Sequence, residues 1–88
     1  MAFYEVVLKP SAEKELRALP KPVRARVLAR LEDLGREPMP RLAVKLAGGE
    51  GRYRVRVGDY RIIYGVDTRI RQITVHYIRH RSDVYRSL

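Results

Sequence analysis

Residues 52–57 read Arg-Tyr-Arg-Val-Arg-Val, an unbroken alternation of cationic and apolar side chains. A period of two is the mark of a strand with one buried and one wet face. Gly58-Asp59 follows, a two-residue hairpin signal, and Tyr60-Arg-Ile-Ile-Tyr-Gly-Val66 provides the return strand. A two-residue loop at 58–59 sets position 57 opposite 60, 56 opposite 61 and 55 opposite 62. Tyr53, Val55, Val57, Tyr60, Ile62, Tyr64 and Val66 then share one face, and Arg52, Arg54, Arg56 and Arg61 share the other. A slip of one residue would bury the arginines, so this register is strongly specified.

The remaining chain supplies what must cover the apolar face. Phe3 to Leu8 is β-branched and aromatic and reads as a short strand ended by Pro10 and Ser11. Ser11 is placed to N-cap a short helix that stops before Pro20, with Glu13 and Glu15 at its positive end. Pro22 suits the first turn of a second helix. Val23, Val27, Leu28, Leu31 and Leu34 mark one face of it, and Gly35 with Pro38 and Pro40 ends it. After the hairpin, a turn centred on Thr68-Arg69 leads to a third strand at 71–78. That turn sets His76 opposite Arg61 and sends Ile73, Val75 and Tyr77 into the core. The order β-α-α-β-β-β predicts an α+β fold, a helical hairpin packed on one face of a small antiparallel sheet. With 88 residues there is enough chain for one core, so a single domain spanning 1–88 is expected.

Composition narrows the chemistry. Cysteine is absent, which removes disulfides and thiolate sites from consideration. No apolar run approaches the ~18 residues of a membrane span, and no signal peptide is legible, so a cytoplasmic protein without membrane contact is expected. The formal charge is +9, and eleven basic residues against four acidic ones lie after position 40. Arginine outnumbers lysine fifteen to four. Guanidinium groups grip phosphate in a fork and stay charged at every working pH, so an anionic partner, nucleic acid first, is indicated. Arg56 and Arg61 face each other across the hairpin, a destabilising arrangement of like charges. Between 52 and 66 only Asp59, in the turn, is acidic. Repulsion tolerated without local compensation points to a phosphate-binding surface rather than a merely solvated face. Downstream, Arg79, His80 and Tyr85 are placed to fold back over that surface. His80 titrates near neutrality, and Tyr85 brings a phenol.

Three stretches, Tyr53-Arg-Val-Arg56, Asp59-Tyr-Arg-Ile-Ile-Tyr64 and His80-Arg-Ser-Asp-Val-Tyr85, occur in order. With the length and element order, they resemble the RelE-type toxins of bacterial and archaeal toxin–antitoxin pairs, and the likeness covers essentially the whole chain. The resemblance implies a metal-free, cofactor-free ribonuclease that cuts messenger RNA in the ribosomal A site, with contacts to 16S rRNA. The 2′-OH would attack the adjacent phosphate and leave a 2′,3′-cyclic phosphate and a 5′-OH. The family's catalytic positions map to Arg54, Arg56, Arg61, Arg79 and Tyr85, with His80 as a further proton carrier. Arg52, His76 and Arg81 would hold RNA. The best-known member has lysines where Arg54 and Arg56 stand. Arginine does not shed its proton, so base and acid roles shift toward His80, His76, Tyr85 or the ribosome. The resemblance also implies a cognate antitoxin with an acidic wrapping segment. Two other readings compete: a ParE-type inhibitor of DNA gyrase, and a non-catalytic RNA-binding module, which would show stacking aromatics on the basic face.

Overall fold

The computed structural model describes residues 3–46 and 51–82. Two helices pack on one face of a five-stranded sheet. In chain order the elements are β1 (Glu5–Leu8), α1 (Pro10–Ala18), α2 (Lys21–Arg36), β2 (Val44–Lys45), β3 (Arg52–Val57), β4 (Tyr60–Asp67) and β5 (Gln72–His80). The strand order is β1-β5-β4-β3-β2. The expected α+β architecture is present, with two additions. A two-residue β2 borders β3, and β1 pairs parallel with β5, so the sheet is mixed rather than purely antiparallel.

The β3–β4 register is the expected one. Val57 lies opposite Tyr60, Arg56 opposite Arg61 and Val55 opposite Ile62. Gly58 carries a φ of 58°, the left-handed value that a primed hairpin turn needs at its first central residue. Val55, Val57, Ile62 and Tyr64 are buried under the helices with Val27, Leu31 and Leu34 from α2 and Ala12 and Leu16 from α1. Tyr64 is fully buried, yet its hydroxyl donates to the Pro38 carbonyl at 2.8 Å. Burial, with Tyr53 beside it, pushes that phenol up to about 12.

The second hairpin departs from expectation. Asp67 Oδ1 accepts the amides of Arg69 and Ile70, and Arg71 takes a φ of 53°. The loop therefore runs over residues 68–71, and Asp67 pairs with Gln72. The ladder then shifts between Ile63 and Tyr64: Tyr64 faces Val75, but Ile63 faces Tyr77. His76 is the extra residue of a β-bulge. Beyond it the alternation of β5 is reversed. Ile78 is buried, Tyr77 is left exposed on the open face, and Arg61 lies opposite Arg79 rather than His76.

The helices carry smaller corrections. Lys9, not Ser11, is the N-cap of α1, with Pro10 opening the helix. Gly35 lies inside α2, where its carbonyl accepts the Tyr4 amide at 2.8 Å and ties the helix end to the chain entering β1. Leu28 is exposed. One residue turns a helix by about 100°, so Leu28 falls off the stripe set by Val27, Leu31 and Leu34. Among the described residues no helix is long and apolar enough to cross a membrane.

Leu31→Ala should therefore lower the unfolding free energy by roughly 2–4 kcal/mol, a cavity in a small core, while Leu28→Ala stays within about 1 kcal/mol. Urea denaturation of the two variants checks this. Equal losses would mean that the helix presents a different stripe to the sheet.

Candidate nucleic-acid interface

The bulge at His76 aligns three arginines across three neighbouring strands. Arg56 on β3 faces Arg61 on β4, and Arg61 faces Arg79 on β5. Directly paired residues stand about 4.5–5.5 Å apart at Cα, so the row concentrates positive charge on one side of the sheet. Arg61 is its centre. It is only 9% exposed, and its Nη1 is buried with no hydrogen-bond partner among the described residues. It forms no ion pair among them either. A buried guanidinium without a counter-charge is costly, and proteins that keep one generally have an anion to meet it. Arg54 is half-buried beside the row, opposite Ile63. Arg56 is exposed and bends toward the turn, where its Nε donates to the Gly58 carbonyl at 3.3 Å.

Arg79 is held from two sides. Its Nε donates to Glu15 Oε2 at 3.0 Å, and its Cζ lies 4.1 Å from the centroid of the Tyr77 ring. The other Glu15 oxygen accepts the amide of buried Ile78 at 3.0 Å. This contact belongs to a longer seam. The pairing of β1 with β5 ends at Leu8 and Val75. Beyond that point the Lys9 amide donates to the Val75 carbonyl and Ser11 Oγ to the His76 carbonyl. Helix α1 thus closes the strand edge that β1 leaves open, and its carboxylate reaches over the edge to the arginine row. Glu15 was legible in the sequence only as an acidic residue early in a helix. Its contact with Arg79 spans 64 positions and depends on the bulge.

The other residues expected from sequence are spread along the sheet. His80 pairs with Tyr60, stacks edge-on against its ring at 5.3 Å and contacts Ser82 Oγ through Nδ1 at 3.0 Å. It lines a groove with Glu15, Ala18, Leu19 and Arg79, on the helix side of the strand. The bulge moves it there by reversing the strand's alternation. The Arg81 amide donates to the Asp59 carbonyl at 2.7 Å, and its side chain is exposed. Tyr85 lies outside the described residues. Arg52 and His76 sit at the far end of the open face from Arg79, with Gly65 between them. There the His76 imidazole is held below its ordinary value of 6.5, by burial first and then by Arg52 and Lys9. Two cations missed in the sequence flank the hairpin tip: Arg26 and Arg30 of α2 line a shallow groove with Arg56 and Gly58. Among the described residues no cluster of three or more His, Asp or Glu side chains is arranged to hold a metal ion.

Residues 6–85 match the family model described as the ParE toxin of the type II toxin–antitoxin system parDE. Toxin RelG of Mycobacterium tuberculosis is 32% identical over 87 residues, covering 94% of this chain and 97% of that one. The chain belongs to the RelE/ParE family of type II toxins. Solved toxins share the fold. The archaeal RelE–RelB complex from Pyrococcus horikoshii matches at a TM-score of 0.81 and 35% identity, over 92% of this chain and 97% of the other. The RelBE2 toxin–antitoxin complex from Mycobacterium tuberculosis matches at a TM-score of 0.78 and 30% identity, over 89% and 98%. The toxin fold thus presents its arginine row opposite the two helices, on the face of the sheet that they leave uncovered.

The double contact of Glu15 can be weighed by mutation. Glu15→Ala removes the acceptor of a buried amide and should cost about 1–3 kcal/mol in urea denaturation. Glu13→Ala, whose partner Arg17 is exposed, should stay within about 0.5 kcal/mol. Similar costs for both would show that Glu15 does not secure the strand edge.

Proposed function

We propose that this toxin is a ribosome-dependent endoribonuclease that cleaves messenger RNA in the ribosomal A site. The observation that carries the proposal is the row Arg56–Arg61–Arg79, with a buried nitrogen at its centre that has no partner among the described residues. In the reaction, the 2′-oxygen forms a bond to the adjacent phosphorus and loses its proton to a base. The bond from phosphorus to the 5′-oxygen breaks, and that oxygen gains a proton. The products are a 2′,3′-cyclic phosphate and a 5′-OH. Charge builds on the non-bridging oxygens in the transition state, and fixed guanidinium groups stabilise it without reorganising. Arg61 supplies the central contact. Arg79, braced by Glu15, and Arg54 and Arg56 complete the cradle. Arginine cannot carry the proton, so the transfers fall to Tyr85 or to ribosomal groups. His80, turned toward Tyr60, supports the strand end instead. The reaction needs a 2′-OH and therefore selects RNA over DNA.

The same reading brings a partner. The related solved toxins are bound to RelB antitoxins. We propose a cognate antitoxin whose acidic segment wraps this basic surface and neutralises it, both acting in the cytoplasm where translation occurs. One finding favours a second reading: the matching family model bears the ParE name, which points to gyrase inhibition. A binding module without catalysis gains one aromatic on the open face, Tyr77, but Arg79 already covers its ring.

Single-turnover cleavage on programmed ribosomes tests the proposal. Arg61→Ala should slow cleavage by roughly 10²-fold or more, the scale for one preorganised donor to a developing oxyanion. Messenger RNA with a 2′-deoxy residue at the scissile position should remain intact. Cleavage of that substrate, or full activity in Arg61→Ala, overturns the proposal. Inhibition of gyrase supercoiling without any RNA cleavage would establish the second reading.

A further inference from the structure

We infer that Lys9, Arg52 and His76 form a second phosphate subsite, separate from the arginine row, which takes a phosphodiester of single-stranded RNA. The inference rests on the reading that RNA lies along the open face. The three side chains wall a groove of about 310 Å3 with Gly65 and Thr74. Gly65 makes the room. A Cβ there would stand 3.2 Å from His76 Nε2, so a larger residue would press the ring back from the strand by a few tenths of an ångström. Neither Lys9 nor Arg52 is in an ion pair among the described residues. Among the described residues the one acid lining the groove is Asp67, whose Oδ1 already accepts two amides of the following turn.

Position ties the groove to the row. Gly65 and Arg61 lie on the same face of β4, four residues or about 13 Å apart at ~3.3 Å per residue. A nucleic-acid strand covers that in about four nucleotides at a stacked rise of ~3.4 Å, and in fewer when stretched. One strand can therefore place one phosphate at Arg61 and another at Lys9 and Arg52.

The subsite has a built-in proton linkage. In the free protein His76 faces Lys9 from the link before α1, Arg52 from β3 and Asp67 from the end of β4. Burial and the two cations favour its neutral form. A phosphate seated between the cations reverses the local field and favours the imidazolium. RNA binding then draws one proton from solvent, and affinity rises as pH falls.

The probe is fluorescein-labelled 2′-O-methyl RNA, a dinucleotide and an octanucleotide, which bind without being cleaved. For the wild-type toxin, the octamer should bind at least tenfold more tightly than the dinucleotide. Its affinity should rise at least threefold between pH 7.5 and pH 6.0. His76→Gln should abolish that pH dependence, and His80→Gln should keep it. Arg52→Gln and Lys9→Gln should each weaken the octamer several-fold, leave the dinucleotide unchanged, and flatten the salt slope by about 0.7. The His76 ring signal in NMR should titrate at higher pH when the octamer is bound. Unaltered octamer affinity, salt slope and pH dependence across the Lys9, Arg52 and His76 variants would overturn the subsite. If cleavage still fell in Arg61→Ala, the nuclease reading would survive that result. The expected binding pattern without any cleavage would instead sink the nuclease reading and leave the subsite in place.

Discussion

The geometry of this protein turns on one extra residue in its last strand. In an uninterrupted ladder, Ile73, Val75, Tyr77 and Arg79 would point the same way, and a guanidinium would face the helices. The bulge at His76 breaks that sequence once. It sends Ile78 into the core and Arg79 to the open side, in line with Arg61 and Arg56. Burial of an isoleucine and display of an arginine are thus the same event. The bulge also frees His76 from the ladder and lays its ring beside Gly65. Both the alignment of the arginine row and the placing of the His76 ring descend from it.

The energetics of the open face run against stability. Like charges face each other across two strand pairs, and the central one is buried with a nitrogen unpartnered among the described residues. Small cores have little surplus to absorb such a cost. The compensations lie to the side. Glu15 and Tyr77 hold Arg79, and the seam of α1 along β5 closes what would otherwise be a raw strand edge.

The legible part of the structure is the part governed by short-range rules. Gly58-Asp59 fixes its own turn, and the strict alternation on either side leaves one register, so the faces of β3 and β4 follow directly. The Thr68–Arg71 loop is different. Its length depends on Asp67 capping two amides and on Arg71 accepting a left-handed backbone, and neither is announced by residue type. The bulge is set by packing of Ile78 against the helices, which no local pattern reveals. Two misplacements, Tyr77 in the core and His80 over the arginines, share that single origin, whereas His76 beside Arg61 fails first on the loop, which is longer than a turn centred on Thr68-Arg69. Leu28 misled for another reason, since apolar spacing on a helix defines a stripe only to within one residue. Of the site, the four arginines of β3 and β4 were readable from the alternation. Glu15 and Lys9 were not, because their roles arise only when α1 is laid along β5.

Glu15 and Arg61 also differ in what their loss does to the molecule. Losing Glu15 strips an acceptor from a buried amide, so the damaged protein is less folded as well as misarranged. Losing Arg61 takes away a guanidinium whose buried Nη1 has no hydrogen-bond partner among the described residues, so no such partner is left stranded. Loss at the centre of the row and loss at the brace therefore differ in kind, since only the second strips a partner from a buried amide.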